Sequence, residues 1–131
     1  MPEYTLPPEP PAPSMAREIV GSVVPPLRPG TTDNVLLLTS EVVSNAIRHG
    51  AQEPSQEIVL RLERGDHNVR VEVLNDGPSF TPTPPFQPTE EREGGYGLYL
   101  VNSLARSWGV DREDDRTKVW FEVSDAGTDD A

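Results

Sequence analysis

Apolar residues recur along the chain at two spacings, one that predicts helices and one that predicts strands. A first helix is predicted from Ser14, whose side chain can cap it, as far as the proline pair that follows Val24. A second helix is predicted between the capping side chains of residues 31–33 and Gly50, a common helix stop. This second helix is apolar on most sides, so we expect it to be largely buried.

Alternation of apolar and polar residues predicts two strands, Glu57–Leu62 and Val69–Leu74, joined by a hairpin turn over residues 64–68. A short edge strand is predicted at Tyr4–Leu6 and a final strand at Thr117–Val123. The longer strands place Ile58, Leu60 and Leu62 on one side of the first and Val69, Val71 and Val73 on one side of the second, which indicates a sheet with one buried face.

A third helix is predicted from Leu98 to about Trp108. The expected fold class is therefore α+β, a two-layer sandwich of a mixed, mostly antiparallel sheet with helices on one face. Three regions are expected: a Pro-rich segment at 1–13, which could include the edge strand, one domain at 14–123, and a flexible acidic tail at 124–131. A long Pro-rich loop from residue 76 to about 94 has no predicted structure.

Composition and charge exclude several classes of function, and they say less about the fold. The 131 residues carry a formal net charge of −11, without the basic patch that nucleic-acid binding requires. The chain has no cysteine, which excludes disulfides and cysteine-based metal or redox chemistry. Its apolar runs are too short to span a bilayer, and its acidic, Pro-rich start does not resemble a signal peptide. We therefore expect a cytoplasmic protein that binds neither nucleic acid nor membranes directly.

Glu41 and Asn45 lie one turn apart on the second predicted helix, and His49 follows one turn later on the same face. Such side chains are costly to bury on an apolar helix without partners. One interpretation is structural: the pair caps a neighbouring loop or faces solvent. The other is chemical, because an amide oxygen is a suitable Mg²⁺ ligand and a carboxylate one turn away can activate a nucleophile beside a phosphate.

Two further segments contain residues suited to a nucleotide. The sequence from Asn75 to Pro78 is an ordinary turn, but a polar acceptor at a strand end can also bind an adenine amino group, and Gly77 would let the backbone approach the base. The glycines of Gly94–Leu98 precede a predicted helix, where backbone N–H groups can face phosphate. A glycine cluster of this kind is also an ordinary hinge between a loop and a helix.

Taken in order, these segments resemble the histidine-kinase-like (Bergerat, GHKL) ATPase superfamily. The order is Glu41-x-x-x-Asn45, then Asn75-Asp76-Gly77, then Gly95-x-Gly97-Leu98, then Thr117 entering a strand. Within the superfamily, SEVVSNAIRHG and GYGLYLVNSLARSWGV look most like the anti-sigma-factor serine/threonine kinases, especially the short actinobacterial type. The resemblance extends from Met15 to Val123 and implies the Bergerat ATP-binding fold.

The resemblance implies a role for each matching residue. Glu41 would be the catalytic carboxylate and Asn45 the ligand of Mg²⁺. The adenine of ATP would contact Asn75 and Gly77, and Thr117 would support that end of the pocket. The phosphates would contact the start of the third helix and a side chain from the Pro-rich segment, which would form the ATP lid: Gly95, Tyr96, Gly97, Leu98 and Arg92. His49 would make a structural hydrogen bond near the end of the second helix.

Asn75 departs from the family, which usually has an aspartate at this position. An asparagine can accept the hydrogen bond of the adenine amine through its carbonyl oxygen, but it lacks the negative charge that strengthens such a bond. Losing that charge corresponds to about 1 kcal/mol, or roughly a fivefold weaker affinity for ATP. The resemblance therefore implies the pocket more directly than the reaction.

The preferred hypothesis is an anti-sigma factor with serine/threonine kinase activity that binds ATP and Mg²⁺. It would sequester a sigma factor, phosphorylate an anti-sigma-factor antagonist, and could form a homodimer. A second hypothesis is a non-catalytic regulatory module of the same fold, in which Asn75 has weakened nucleotide binding. A third is an ATPase domain that transfers phosphate to a histidine of a separate partner, since the sequence itself has no phospho-acceptor histidine motif.

Overall fold

Three helices and five strands are present in the computed structural model, which describes residues 1–23, 27–49, 57–76 and 95–125. The strands are β1 (Glu3–Leu6), β2 (Ile58–Arg64), β3 (Asn68–Asn75), β4 (Ser107–Glu113) and β5 (Arg116–Ser124). The helices are α1 (Ala12–Val23), α2 (Pro29–His49) and α3 (Gly95–Leu104). Within these ranges, no helix is long and apolar enough to cross a membrane.

The five strands form one sheet in the order β1-β2-β3-β5-β4, and each described pair of neighbours is antiparallel. Short turns join β2 to β3 and β4 to β5, as antiparallel hairpins require. In the second turn, Asp114 and Asp115 have φ of 50° and 66°. Positive φ at both central residues is the conformation of a two-residue type I′ turn, and aspartate adopts it more readily than most residues.

One face of the sheet is apolar and packs against the helices. Val71 of β3 lies between Leu62 of β2 and Phe121 of β5, and all three side chains are buried. Helix α2 packs over β3 and β5 and contacts both α1 and α3. The buried side chains of all three helices join those of the strands in a single core. The prediction of a two-layer α+β fold with helices on one face is therefore confirmed.

The opposite face of the sheet carries paired charges. Arg61 donates to Glu113 over 2.6 Å and to Glu72 over 3.3 Å. The hydrogen bond from Arg61 lowers the pKa of the Glu113 carboxyl to about 2. Arg70 donates to Glu72 over 2.9 Å and lies 4.2 Å from the centre of the Trp120 ring, a distance typical of a cation–π contact. The two faces of the sheet thus differ sharply in chemistry.

Helix α2 begins at Pro29, before the capping residues that the sequence predicts, because its cap comes from a distant part of the chain. Asp125, directly after β5, accepts hydrogen bonds from the Arg28 amide at 3.1 Å and from the Thr31 side chain. The Asp125 amide in turn donates to the His67 carbonyl at 2.8 Å. These contacts fix the start of α2 at the sheet end where β5 finishes and β3 begins.

Burial by itself would raise the pKa of the Asp125 carboxyl. The hydrogen bonds from Thr31 and from the Arg28 amide, together with the charges of Arg64 and Arg28, outweigh burial and hold this pKa below its usual value. Ser124 also belongs to β5, so the ordered chain extends past the start of the tail expected at 124–131. Residues 126–131 lie outside the part of the chain that the structure describes.

The third helix is shorter than predicted. It is followed by a strand that the sequence pattern did not predict. Helix α3 ends at Leu104, and the amide of Arg106 already donates to the Glu122 carbonyl at 2.7 Å. Trp108 and Val110 then alternate onto the apolar face of the sheet. The prediction that this helix extends to Trp108 is therefore wrong, because pairing with β5 takes over the backbone hydrogen bonds.

Candidate functional site

Glu41 and Asn45 lie along one edge of the buried face of α2. Val42 and Ala46, each one residue later, are buried in the core, whereas Glu41 and Asn45 are half-buried. Glu41 has no hydrogen bond or ion pair with any described residue. The two polar side chains are thus placed where a ligand beside the helix can reach them without entering the core.

Arg48 donates a hydrogen bond to Oδ1 of Asn45, the oxygen that the family resemblance assigns to Mg²⁺. Its Nη2 donates to Asn45 Oδ1 over 2.7 Å, one turn along α2. A metal cation bound to the same oxygen would meet the positive charge of Arg48 at short range, which is unfavourable unless an anion lies between them. The arrangement therefore fits a metal ion that is already bound to phosphate better than a free ion.

The ligand types around Asn45 lead to the same conclusion. In the described ranges, no three side chains from His, Cys, Asp and Glu come together as a set of metal ligands. Asn45 offers one amide oxygen, and Glu41 offers a carboxylate one turn away. Mg²⁺ commonly uses one or two protein ligands and completes its shell with water and phosphate oxygens. These residues fit Mg²⁺ that arrives with a nucleotide.

Three polar side chains form a row across the other end of the sheet. Asn75 of β3 lies opposite Thr117 of β5, and Arg112 of β4 lies opposite Thr117 on its other side. Asn75 is 5% exposed and Thr117 is 1% exposed, and Arg112 Nη1 donates to Thr117 Oγ1 over 2.9 Å. The row continues the face that carries Val73 and Val119, so it belongs to the helix-covered side.

The length of α2 matches the distance along β3 from Asp125 to this row. Asn75 lies seven residues along β3 from the end near Asp125, which corresponds to about 23 Å. Asn45 lies sixteen residues along α2 from Pro29, about 24 Å, and α2 packs over β3 and β5. Because α2 starts at the Asp125 end of the sheet, it is long enough to reach the end that carries Asn75 and Thr117.

The remaining predicted site residues have different outcomes. Gly95, Tyr96, Gly97 and Leu98 form the first turn of α3, which packs against α2. Gly77 and Arg92 lie outside the described residues. His49 is the last residue of α2, one turn beyond Asn45. The structure thus brings the α2 pair, the strand-end pair and the start of α3 to one side of the sheet.

Two arginines of this region were not predicted from the sequence. Arg48 follows Asn45 by three residues, a spacing that places the two side chains next to each other on a helix, so its position was readable from the pattern. Arg112 was missed together with β4. The alternation of Trp108 and Val110 before the Asp114-Asp115 turn was the available signal for that strand.

Comparison with known proteins shows the family to which the chain belongs. The chain matches the histidine kinase-like ATPase domain over residues 6–123. That span includes all the site residues named above and leaves only the two ends of the chain. The chain therefore belongs to the family of histidine kinase-like ATPase domains.

Solved structures show the same fold at low sequence identity. The blue-light activated histidine kinase of Erythrobacter litoralis matches with a TM-score of 0.61 and 19% identity, over 90% of this chain and 42% of that one. The catalytic domain of histidine kinase ThkA matches with a TM-score of 0.54 and 20% identity, over 72% of this chain and 68% of that domain. The chain thus spans less than half of the first kinase. No curated protein sequence matches the chain.

Proposed function

We propose that this chain binds Mg-ATP and acts as an anti-sigma factor with serine/threonine kinase activity. The observation that supports nucleotide binding is the placement of two polar pairs, Glu41 with Asn45 on α2 and Asn75 with Thr117 at a strand end, on the sheet face that α2 covers. Membership of the histidine kinase-like ATPase domains supports the same ligand. The serine/threonine specificity and the sigma-factor partner rest on the resemblance of SEVVSNAIRHG to anti-sigma kinases.

Each side chain has a defined task in the proposed reaction. Asn75 and Thr117 bind the base, and Asn45 holds Mg²⁺, which neutralises charge on the phosphates. Arg48 sits close enough to Asn45 to pair with a phosphate oxygen. Glu41 accepts the proton of the attacking serine or threonine hydroxyl. The hydroxyl oxygen bonds to the terminal phosphorus of ATP, and the bond from that phosphorus to ADP breaks.

The net charge of −11 suits a protein that binds a basic partner surface. The partners are tested by capturing proteins on the immobilised chain with and without Mg-ATP, followed by mapping of phosphorylated residues on the captured proteins. We expect a sigma factor in the captured set and an ATP-dependent phosphoserine or phosphothreonine on a second protein. Capture of neither class contradicts the anti-sigma part of the proposal.

The acid stability of the phosphorylated product tests the reaction class. Phosphoserine and phosphothreonine survive acid, whereas phosphohistidine does not, so one assay separates a serine/threonine kinase from a domain that transfers phosphate to histidine. We expect an acid-stable product that Glu41→Gln removes. An acid-labile product would assign the chain to histidine phosphotransfer instead.

Asn75 favours one alternative, a non-catalytic regulatory module of the same fold. The buried amide at the base-binding position lacks the charge that would strengthen its bond to adenine. In that case the chain would bind a partner by contact alone and bind ATP weakly. Partner capture that is unchanged by Mg-ATP, without phosphate transfer, would select this alternative over the kinase.

A further inference from the structure

The two outer strands of the sheet differ in how their free edges are protected. An edge strand presents unpaired backbone N–H and C=O groups, and proteins commonly protect such an edge by keeping the strand short or by placing proline beside it. Strand β1 has four residues and lies between Pro2 and Pro7. Strand β4 has seven residues, none of them proline, and is the outermost described strand at the other end of the sheet. In the described sheet, β4 is therefore the edge that is open to a further strand.

Apolar side chains of β4 are also less buried than those of the strand beside it. Trp108 and Val110 lie on the sheet face that carries the helices and pack against the core, yet both are only half-buried. Phe121 and Val119, which pair with them on β5, are buried. A strand added beyond β4 would contact Trp108 and Val110 on this face, as neighbouring strands do.

The charges along β4 fit a second copy of the same strand in one antiparallel register. If the helix-covered faces of both sheets lie on the same side, the apolar side chains of both copies meet, and residues of equal parity lie opposite each other. With Val110 opposite itself, no residue of the strand faces a residue of like charge. The other pairs are then Ser107 with Glu113, Trp108 with Arg112, and Gly109 with Asp111.

The two neighbouring registers bring like charges together. A shift of the pairing by two positions in one direction places Gly109 opposite itself, and Arg106, which directly precedes β4, then faces Arg112. A shift in the other direction places Asp111 opposite itself. Like charges directly opposite each other on antiparallel strands are destabilising. Charge therefore favours the register that is centred on Val110.

We infer that a second copy of this chain pairs with β4 through its own β4, antiparallel and centred on Val110, so that two five-stranded sheets form one continuous sheet. A two-fold axis through the centre of the pair makes the same surface serve both copies. Pairing through one strand edge buries less area than a standard interface, so we expect a weak dimer with a Kd of roughly 1–100 µM. The inference goes beyond the proposed function and does not depend on nucleotide binding.

Cysteine cross-linking tests the register, because the chain itself has no cysteine. Across the two-fold axis, the Cα atoms of the two copies of Val110 would lie about 4.5–5.5 Å apart, within the range that a disulfide spans. We expect Val110→Cys to form a disulfide-linked dimer under mild oxidation. Ser107→Cys, whose two copies would lie about 20 Å apart, and Thr5→Cys on β1 are the controls and should not cross-link.

Opposite charges at Val110 test the two-fold pairing itself. Val110→Glu and Val110→Lys each place like charges face to face across the axis, so the dimer Kd of each variant alone should rise by about tenfold or more. An equimolar mixture of the two variants should recover the dimer, because a carboxylate then faces an ammonium group. Thr5→Glu and Thr5→Lys on β1 are the matched controls and should keep the native Kd. Sedimentation equilibrium measures all of these Kd values.

The native chain alone can overturn the inference, which it does if it stays monomeric at about 1 mM. A dimer that is unaffected by either charge at Val110, or that cross-links through Thr5→Cys as readily as through Val110→Cys, uses another surface and overturns it as well. If the charged variants fold poorly, the native chain and Val110→Cys decide. None of these measurements involves a nucleotide, so a failure here leaves the proposed function unaffected, and a failure to bind ATP leaves this inference unaffected.

Discussion

The side-chain oxygen of Asn45, Oδ1, illustrates how much of this site depends on single atoms. It accepts a hydrogen bond from Arg48 at 2.7 Å, and in the proposed complex the same oxygen binds Mg²⁺. Two cations near one oxygen are tolerated when phosphate supplies compensating negative charge. Binding of the metal and binding of the nucleotide should therefore be strongly linked at this residue.

Substitutions at Asn45 and Glu41 should separate binding from chemistry. We expect Asn45→Ala to weaken Mg-ATP binding by about tenfold or more, because the variant loses a metal ligand, and to change binding in EDTA much less. Glu41→Gln should keep Mg-ATP binding and lower the rate of phosphate transfer by about 10²–10⁴, the usual contribution of a general base. Calorimetry and a phosphate-transfer assay measure the two effects.

Ser44→Ala provides the control, since Ser44 precedes Asn45 on α2 and lies on a different side of the helix. It should leave both binding and transfer close to native values. Equal losses of Mg-ATP affinity in Asn45→Ala and Glu41→Gln would contradict the separate roles assigned to these two residues.

Thr39 and Thr31 offer a matched comparison on the same helix. The Thr39 side chain is completely buried, and its hydroxyl has no hydrogen-bond partner among the described residues. Thr39→Val should raise the free energy of unfolding by about 1 kcal/mol, because it removes an unsatisfied hydroxyl without changing the volume much.

Thr31→Val should change the free energy of unfolding in the opposite direction. Thr31 hydrogen bonds to Asp125, so the same substitution should lower the free energy of unfolding by about 1 kcal/mol. Urea unfolding of both variants measures the difference. A destabilising Thr39→Val would show that the hydroxyl of Thr39 does have a partner in solution, such as a buried water.

At the level of elements, the position of α2 depends on its start. Asp125 accepts hydrogen bonds from the Arg28 amide and from Thr31, and this contact sets the end of the sheet at which α2 starts. The carboxylate also lies near the positive end of the dipole of α2, which favours its charged form. Asp125 therefore contributes both to stability and to the placement of the site.

The pH dependence of unfolding should reveal this contact. The folded state lowers the pKa of Asp125, so the resulting stabilisation is present above the usual pKa of aspartate, about 3.9, and is lost as the pH falls through the folded-state pKa. At pH 7, Asp125→Ala should lower the free energy of unfolding by about 1–2 kcal/mol, as expected for the loss of a helix cap.

Urea unfolding between pH 3 and pH 7 measures this effect. The difference between the native chain and Asp125→Ala should shrink steadily toward the acidic end, because protonation of Asp125 weakens the same interaction in the native chain. The control is Asp66→Ala, an exposed aspartate in the turn between β2 and β3. A constant difference between the native chain and Asp125→Ala across this range would contradict a charge-dependent role for Asp125.

Trp108 of β4 contacts helix α3 and can report a change in that helix. The Trp108 indole donates to Asn102 of α3 over 3.2 Å, whereas Trp120 lies on the opposite face of the sheet and donates to Asp111. If Mg-ATP contacts the first turn of α3, it should change the fluorescence of Trp108. The change should persist in Trp120→Phe and disappear in Trp108→Phe, and the reverse pattern would exclude α3 as the responding element.

The elements that the sequence predicted are those whose pattern depends on local spacing. The segments Glu57–Leu62 and Val69–Leu74 each have an apolar residue at every second position, and each proved to be a strand: β2 starts one residue later and ends two later than predicted, and β3 is one residue longer at each end. β4 was not predicted because Leu100, Val101 and Leu104 start a helical pattern, and the spacing of Trp108 extends that pattern. Trp108 pairs with Phe121 of β5, which is distant in the sequence, and this pairing makes the segment a strand and not a helix.

Distant contacts also limited what the sequence could indicate about the site. Spacing alone placed Glu41 and Asn45 on one helix face, and strand position placed Asn75 at the end of β3. No local pattern predicts that Arg112 donates to Thr117, since their pairing depends on the register of β4 and β5. The cap of α2 by Asp125 was unpredictable for the same reason, as 97 positions separate Asp125 from Arg28.

At the scale of the whole molecule, we propose that this histidine kinase-like ATPase domain binds Mg-ATP between the later turns of α2 and the strand end at Asn75 and Thr117. A ligand that binds only the folded state stabilises it by RT ln(1 + [ligand]/Kd), about 2.7 kcal/mol at a concentration of 100 times the Kd. For a domain of this size, such stabilisation corresponds to an increase in Tm of about 10 °C.

Thermal unfolding of the native chain with increasing Mg-ATP, beside Asn45→Ala, tests this claim most directly. We expect the Tm of the native chain to rise continuously up to millimolar Mg-ATP, with a much smaller rise in Asn45→Ala and in EDTA. An unchanged Tm of the native chain at millimolar Mg-ATP would contradict the proposed nucleotide site.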